Sequence, residues 1–273
     1  MRHICSASDM KYLMKGLTLF ESLRETSSEP FTFHYLCLDD ESFNIVRNID
    51  GILAYRYSIS NRLKELRDND YLLFCYASAS VFCDHLLKYY PEITYADSDI
   101  FFHKDISKIW AEIGDNSVGI FRHRQFSSSR PEGAFNVGVV YFRGDPIGRA
   151  VCSWWADAVV SGRYPEYASC GDQKYLDFFP YLCHGKLFVD GHIGHGAPWQ
   201  WQLYEYVDDD IIWKGERQEL IFTHFSQCQF DPFIPSTSHH CYTPPSMYHN
   251  PAIKSIYINY YRKMQAVKEK YNL

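Results

Sequence analysis

The stretch Ile93-Thr94-Tyr95-Ala96-Asp97-Ser98-Asp99-Ile100-Phe101-Phe102 sets two carboxylates one residue apart between apolar runs. Ile93–Ala96 reads as a buried strand with Asp97 and Asp99 at its C-terminal end, and residues two apart on a strand share a face. Both carboxylates then turn toward one point in the crevice beyond the strand, where open α/β sheets bind their ligands. Carboxylates this close repel unless a cation neutralises them. Oxygen ligands with open positions suit Mg²⁺ or Mn²⁺, ions that bridge to phosphate oxygens. The pair therefore points to a metal-held phosphate or diphosphate. The competing reading is a polar turn, because Asp and Ser favour turns after strands.

Four further places carry chemistry-bearing residues. In Phe135-Asn136-Val137-Gly138 an amide opens an apolar strand and Gly follows two residues later. Asn136 can donate to and accept from a hydroxyl, and Gly138 lets a ligand approach closely. Alternatively, Asn136 closes the preceding turn. In Ser169-Cys170-Gly171-Asp172-Gln173, two polar groups lie at a helix start; they either initiate the helix or grip hydroxyls in a cleft. His224 ends the apolar run Leu220–Thr223, and imidazole beside two carboxylates can complete a metal site. The loop Gly191-His192-Ile193-Gly194-His195-Gly196-Ala197-Pro198-Trp199-Gln200-Trp201 offers aromatic faces for a sugar. His192 and His195 are also possible zinc ligands, but no Cys or acid nearby completes a zinc pattern.

The elements that must position these residues follow an alternating pattern. Arg2–Cys5 reads as a strand leading into a turn at Ser6-Ala7-Ser8-Asp9, and Met10–Leu23 as a helix. Phe31–Leu38 is a strand, Ser42–Ile49 a helix and Gly51–Tyr57 a strand. Asn61–Leu66 and Tyr71–Tyr89 are helical, and the acidic pair ends the next strand. Such alternation specifies a parallel sheet with crossover helices. Beyond it come a helix at Ile106–Ile113, strands at Val118–Phe121 and Asn136–Phe142, and helices at Pro146–Val160 and Gly171–Phe179. Pro180–Pro245 reads as irregular and Pro251–Tyr271 as a closing helix.

The 273 residues, 46% of them apolar, suffice for one sizeable α/β domain. A formal net charge of −6 argues against nucleic acid as a partner. Nine cysteines without paired spacing suggest reduced thiols in a cytoplasmic protein. No signal peptide or membrane span is expected. The closing helix has an apolar stripe and several lysines; it either packs on the domain or docks peripherally on an anionic membrane.

Taken in order, CSASD, HYLCLDD, TYADSDIFF, FNVGVVYF, GDQKYLDFF, GHGAPWQW and FTHF resemble the GT-A glycosyltransferases, especially the family 8-like bacterial sugar transferases. The resemblance runs from residue 3 to about 225. It implies a single GT-A (Rossmann-like) α/β domain over 1–273, with a mixed, mostly parallel sheet flanked by helices. Residues 1–145 would form the nucleotide-sugar and metal half, 146–250 the acceptor side, and 251–273 a C-terminal helix. It implies Mn²⁺ (or Mg²⁺) on Asp97, Asp99 and His224, holding the diphosphate of a nucleotide sugar, a UDP-sugar being favoured. Ser6, Ala7 and Ser8 would pack on the base, with the Ser98 backbone near the ribose. Asn136 would touch the donor sugar, and Asp172 and Gln173 the sugar and acceptor. The expected activity is hexosyl transfer, with retention, to a glycan or lipid-linked saccharide in cell-surface polysaccharide synthesis.

Members of that group often follow the late His with Gly and Lys; here Phe225-Ser226-Gln227-Cys228 follows. They also carry a basic residue on the helix before the acidic pair, for which Arg62, Lys64 or Arg67 would substitute here. Two rivals stand beside this reading. A metal-dependent phosphatase or phosphotransferase also uses Asp-x-Asp after a strand, but commonly with Thr or Val where Phe101 stands. The other is a silent sugar-nucleotide or glycan-binding protein of the same fold.

Overall fold

Asp9, Asp39, Asp70 and Asp145 each accept a backbone N–H from the residue three further on, at 3.2, 2.7, 3.0 and 2.8 Å. Such caps satisfy the free donors of a helix's first turn and set where it starts. In the computed structural model, which describes residues 1–124, 132–168, 171–226, 228 and 250–273, all four open helices. The first half runs β1 (Arg2–Ser8), α1 (Met10–Thr26), β2 (Phe31–Cys37), α2 (Asp40–Val46), β3 (Ile52–Arg56), α3 (Asn61–Asn69), α4 (Tyr71–Leu86) and β4 (Glu92–Ala96). Then come β5 (Ile100–Phe102), α5 (Ser107–Ile113), β6 (Val118–Arg122), β7 (Phe135–Arg143), α6 (Pro146–Ser161), α7 (Pro165–Ala168) and α8 (Phe179–Leu182). The chain continues through β8 (Leu187–Val189), β9 (Gly194–Gly196), β10 (Glu205–Val207), β11 (Asp210–Trp213) and β12 (Glu216–His224) to α9 (Pro251–Tyr271).

The main sheet has seven strands in the order β3-β2-β1-β4-β7-β6-β8. Its pairs are parallel except β4 with β7 and β7 with β6. Period two sorts its side chains into two cores. Cys5, Leu36, Tyr95, Val140 and Phe142 face α4 and α6, meeting Phe74, Phe82 and Trp155. Ile4, Phe33, Tyr35, Val139 and Tyr141 face α1 and α5, meeting Leu17, Phe20 and Trp110. Burial on both faces explains why strands such as FTFHYLC are almost continuously apolar or aromatic.

A second sheet, β10-β11-β12-β5, carries β9 alongside β12. It corrects the expectation of an irregular stretch over Pro180–Pro245, of which residues 227 and 229–245 lie outside the described residues, as do Ser169 and Cys170 of the helix-start motif. β8 to β11 have only three or four residues each, too few to show an apolar alternation. Glycine is what admits β9: a Cβ on Gly194 would stand 2.3 Å from the Glu219 carbonyl oxygen, and one on Gly196 would strike the Trp201 ring. Two smaller corrections apply. β1 continues through Ser8 instead of turning at Ser6, because it pairs with β2 along its whole length, Ser8 opposite Cys37. The expected helix at Gly171–Phe179 is a 3-10 segment, Gln173–Phe178, after Gly171 at φ +67°.

The apolar stripe of α9 (Ile253, Tyr257, Tyr260, Met264 and Val267) is buried against α1 and the second sheet. Lys263 pairs with Glu25, and Lys270 and Tyr271 bond Glu21. The stripe is thus buried within the protein. No described helix is long and apolar enough to cross one.

One buried ion pair ties the two sheets. Arg124, whose side chain is wholly buried, reaches Asp190 Oδ2 (3.3 Å), Gln218 Oε1 (3.0 Å) and the Ile193 carbonyl (3.1 Å), and lies over the Trp213 ring. Removing one partner of such a pair strands a buried charge, at a cost of about 3–5 kcal/mol. Asp190→Ala is therefore expected to lower the unfolding free energy by about 3–5 kcal/mol in urea denaturation. A loss of less than about 1 kcal/mol, the level of an exposed pair, would contradict this account.

Candidate metal and nucleotide site

The two carboxylates do not share a strand. β4 ends at Ala96 and β5 starts at Ile100, so Asp97-Ser98-Asp99 is the crossing from one sheet to the other. The Ile100 N–H donates to the Asp97 carbonyl at 3.0 Å, and this tight turn, not strand alternation, gathers the side chains. The Asp97 N–H donates to Gly138 O on β7 (2.9 Å), and the Phe225 N–H to Asp99 O (2.8 Å). The turn is thereby pinned to both sheets.

His224, the last residue of β12, lies opposite Ile100. Its Nε2 is 3.0 Å from Asp99 Oδ1 and 3.7 Å from Asp97 Oδ2. One ligand atom from each of the three residues lies within 4.8 Å of the others, and no other such group of His, Cys, Asp or Glu occurs among the described residues. Two carboxylate oxygens and an imidazole nitrogen, with Asp97 a quarter exposed, fit a divalent cation that keeps open positions for a ligand.

The imidazole is held from behind. Its Nδ1 lies 2.9 Å from Asn136 Oδ1, which also accepts the Gly138 N–H at 2.9 Å. An amide oxygen can only accept, so Nδ1 carries the hydrogen, which leaves Nε2 for the carboxylates or a cation. Asn136 Nδ2 in turn donates to Gln173 Oε1 at 2.8 Å, and Gln173 Oε1 also accepts the Val137 N–H. Gly138 has no side chain because a Cβ there would stand 2.6 Å from Asn136 Oδ1 and 2.7 Å from His224 Nδ1. Its small size makes room for this relay, whereas the sequence reading had it admit a ligand.

The charges pull one another off their ordinary values. Burial would raise the Asp99 carboxyl, but the His224 imidazolium outweighs it and holds Asp99 low. Burial would lower His224, but Asp99 and then Asp97 raise it. Burial, then repulsion by Asp99, raises Asp97 despite His224. Tyr95, two residues before Asp97, donates its hydroxyl to Asp97 Oδ1 at 2.8 Å. The sequence reading missed it, although its i−2 position at the strand end was a usable signal. Asp172 is buried, and burial followed by the charge of Asp97 lifts its carboxyl well above the usual range.

Other expected site residues are placed as follows. Ser98 is buried within the turn. Ser6 is buried inside β1 and Ser8 bonds the Tyr35 hydroxyl at 2.6 Å, so of the three residues expected at the base only Ala7 is partly exposed. Arg62 pairs with Asp157 on α6 at 2.7 Å. Trp199 stands edge-on to His224, ring centres 5.7 Å apart, and is half-buried at the lip. Trp201 is fully buried in the core beneath α9, so it is no part of a stacking lip. His192 is exposed beside Glu112 while His195 is buried near Asp190, so the two share no ligand site.

No family model matches the chain. The uncharacterized protein YfnF of Bacillus subtilis (strain 168) is 27% identical over 255 residues, 81% of this chain and 80% of that protein. Among solved structures, the galactosyltransferase LgtC in complex with donor and acceptor sugar analogs superposes with a TM-score of 0.62 at 14% identity, covering 97% of this chain and 95% of that one. Mouse xyloside xylosyltransferase 1 gives 0.56 at 14% identity, covering 83% and 98%. The fold is that of GT-A glycosyltransferases: mixed α/β, a mostly parallel central sheet, helices on both faces.

Proposed function

We propose that this chain is a metal-dependent glycosyltransferase. It moves a hexosyl group from a nucleoside-diphosphate sugar, UDP-linked by preference, to a saccharide or lipid-linked saccharide in cell-surface polysaccharide synthesis. The carrying observation is the Asp97–Asp99–His224 cluster at the junction of two sheets, just past the C-terminal end of β4. Similarity to LgtC and to xyloside xylosyltransferase 1 supports the reading. Residues 1–145 would hold the donor, and 146–250 would face the acceptor.

A bound Mn²⁺ or Mg²⁺ would supply charge neutralisation on the departing diphosphate. The chain's own groups do the rest. Asp97, Asp99 and His224 hold the site, and Asn136 and Gln173 fix the imidazole. The Ala7 end of β1 receives the base, and the Ser98 backbone lies by the ribose. The C1–oxygen bond to the diphosphate breaks, the acceptor oxygen bonds C1 on the same face, and the acceptor proton passes to a diphosphate oxygen. Burial and the charge of Asp97 disfavour the ionised form of Asp172, which counts against that carboxylate as a nucleophile and favours same-face attack.

A thermal-shift screen of UDP-, GDP-, dTDP- and CMP-sugars with and without Mn²⁺ tests this, since a ligand specific to the folded state raises the melting temperature. One nucleotide class that stabilises only with Mn²⁺ is the expected result. No shift from any of them in a folded sample would overturn it.

A further inference from the structure

A nucleotide-sugar diphosphate brings about two negative charges to a site that already holds two carboxylates. A divalent cation on Asp97, Asp99 and neutral His224 balances the carboxylates and leaves the diphosphate uncompensated. Some further cation has to face it. The segment after His224 offers none: residues 225–250 contain neither Lys nor Arg. Arg62 is taken up by Asp157, and Arg67 donates to the Tyr57 hydroxyl at 2.7 Å.

Lys15 is in a different situation. It sits in the second turn of α1, the helix that leaves the C-terminal end of β1 and packs on β5 directly after Asp99. Its ammonium lies over the Tyr12 ring, 4.6 Å from the centroid, and it is half-buried. It forms no ion pair among the described residues, whereas its charge reaches Asp99, His224 and Cys228. A half-buried ammonium with no ion-pair partner among the described residues, on a helix packed against the strand that follows Asp99, is an arrangement that can receive an anion.

We propose that Lys15 grips the diphosphate of the bound nucleotide from the α1 side of the Asp97–Asp99–His224 site; this rests on the glycosyltransferase reading. α1 thereby does the work that a basic residue after the late His would do. Tyr12 orients the ammonium through its ring face.

The test compares wild type, Lys15→Met and Lys15→Arg by isothermal titration with three probes: Mn²⁺ alone, UDP with Mn²⁺, and uridine. Met keeps the apolar stem and removes the charge. The expected result is UDP binding weaker by about 10- to 100-fold in Lys15→Met. Uridine binding stays unchanged, and Mn²⁺ alone binds as tightly or more tightly because a repelling charge is gone. Lys15→Arg recovers most of the UDP affinity. Unchanged UDP affinity in Lys15→Met overturns the proposal, as does a parallel loss of Mn²⁺ affinity, the mark of a merely structural role. Wild-type protein that binds Mn²⁺ but neither UDP nor any other nucleoside diphosphate overturns the parent reading instead, before the variants are compared.

Discussion

Asp99→Asn is expected to abolish Mn²⁺ binding and to lower sugar transfer by about three orders of magnitude, while the protein stays folded. Asp99 is the carboxylate closest to His224 Nε2, at 3.0 Å, and is itself only 8% exposed. Asparagine keeps the shape but offers a neutral oxygen, so the cluster loses a charge that no neighbour can replace. The fold survives because the turn is held by main-chain bonds from Ile100 and Phe225 that the substitution leaves alone. Relief of repulsion between Asp97 and Asp99 also offsets the lost attraction to His224. The proton linkage shifts with it: Asp99 is the largest influence raising His224 against burial, so His224 titrates lower in the variant than in the wild type. Calorimetric Mn²⁺ titration, turnover and thermal denaturation on one preparation decide the matter. A folded Asp99→Asn protein with ordinary Mn²⁺-dependent turnover would remove the metal assignment.

The first half of the chain was legible because its local signals agree with its tertiary structure. Aspartates preceding amphipathic runs cap the helices they announce, and apolar strands between them are the buried strands of a parallel sheet. The region after Pro180 was opaque for the opposite reason. β9 is Gly-His-Gly, and it becomes a strand only because β12 lies beside it. Trp201 and Trp199 stand two residues apart in one loop, yet one is core and the other lip, which only the position of α9 decides.

The same division runs through the site. The grouping of Asp97, Asp99 and His224 was readable from residue type, since two acids and an imidazole have few shared uses. Their geometry was not, because the turn that gathers them depends on β5 leaving the main sheet to join β12. The role of Asn136 was hidden further: its partners His224 and Gln173 are 88 and 37 residues away. No local pattern reports on such a relay.

Gly138 gives that relay its sharpest test. Gly138→Ala adds one methyl group where a Cβ would stand 2.6 Å from Asn136 Oδ1, 2.7 Å from His224 Nδ1 and 3.1 Å from Ile100 Cδ1. The first two contacts are shorter than packed atoms tolerate, so Asn136 Oδ1 and His224 Nδ1 must shift away from the new methyl group, which is expected to disturb their 2.9 Å bond. Every metal ligand remains present, but the imidazole loses the partner that fixes its tautomer and direction. Loss of such a partner costs about 10- to 100-fold in metal affinity. Overpacking adds a stability cost of about 1–3 kcal/mol, which leaves the fold standing. The expected result is a folded protein whose Mn²⁺ affinity falls by about 10- to 100-fold, with turnover at saturating Mn²⁺ recovering only in part. This separates it from Asp99→Asn, for which no Mn²⁺ concentration restores activity. Wild-type Mn²⁺ affinity in Gly138→Ala would mean that the Asn136–His224 bond does not orient the ligand, and the metal site would then rest on the three ligands alone.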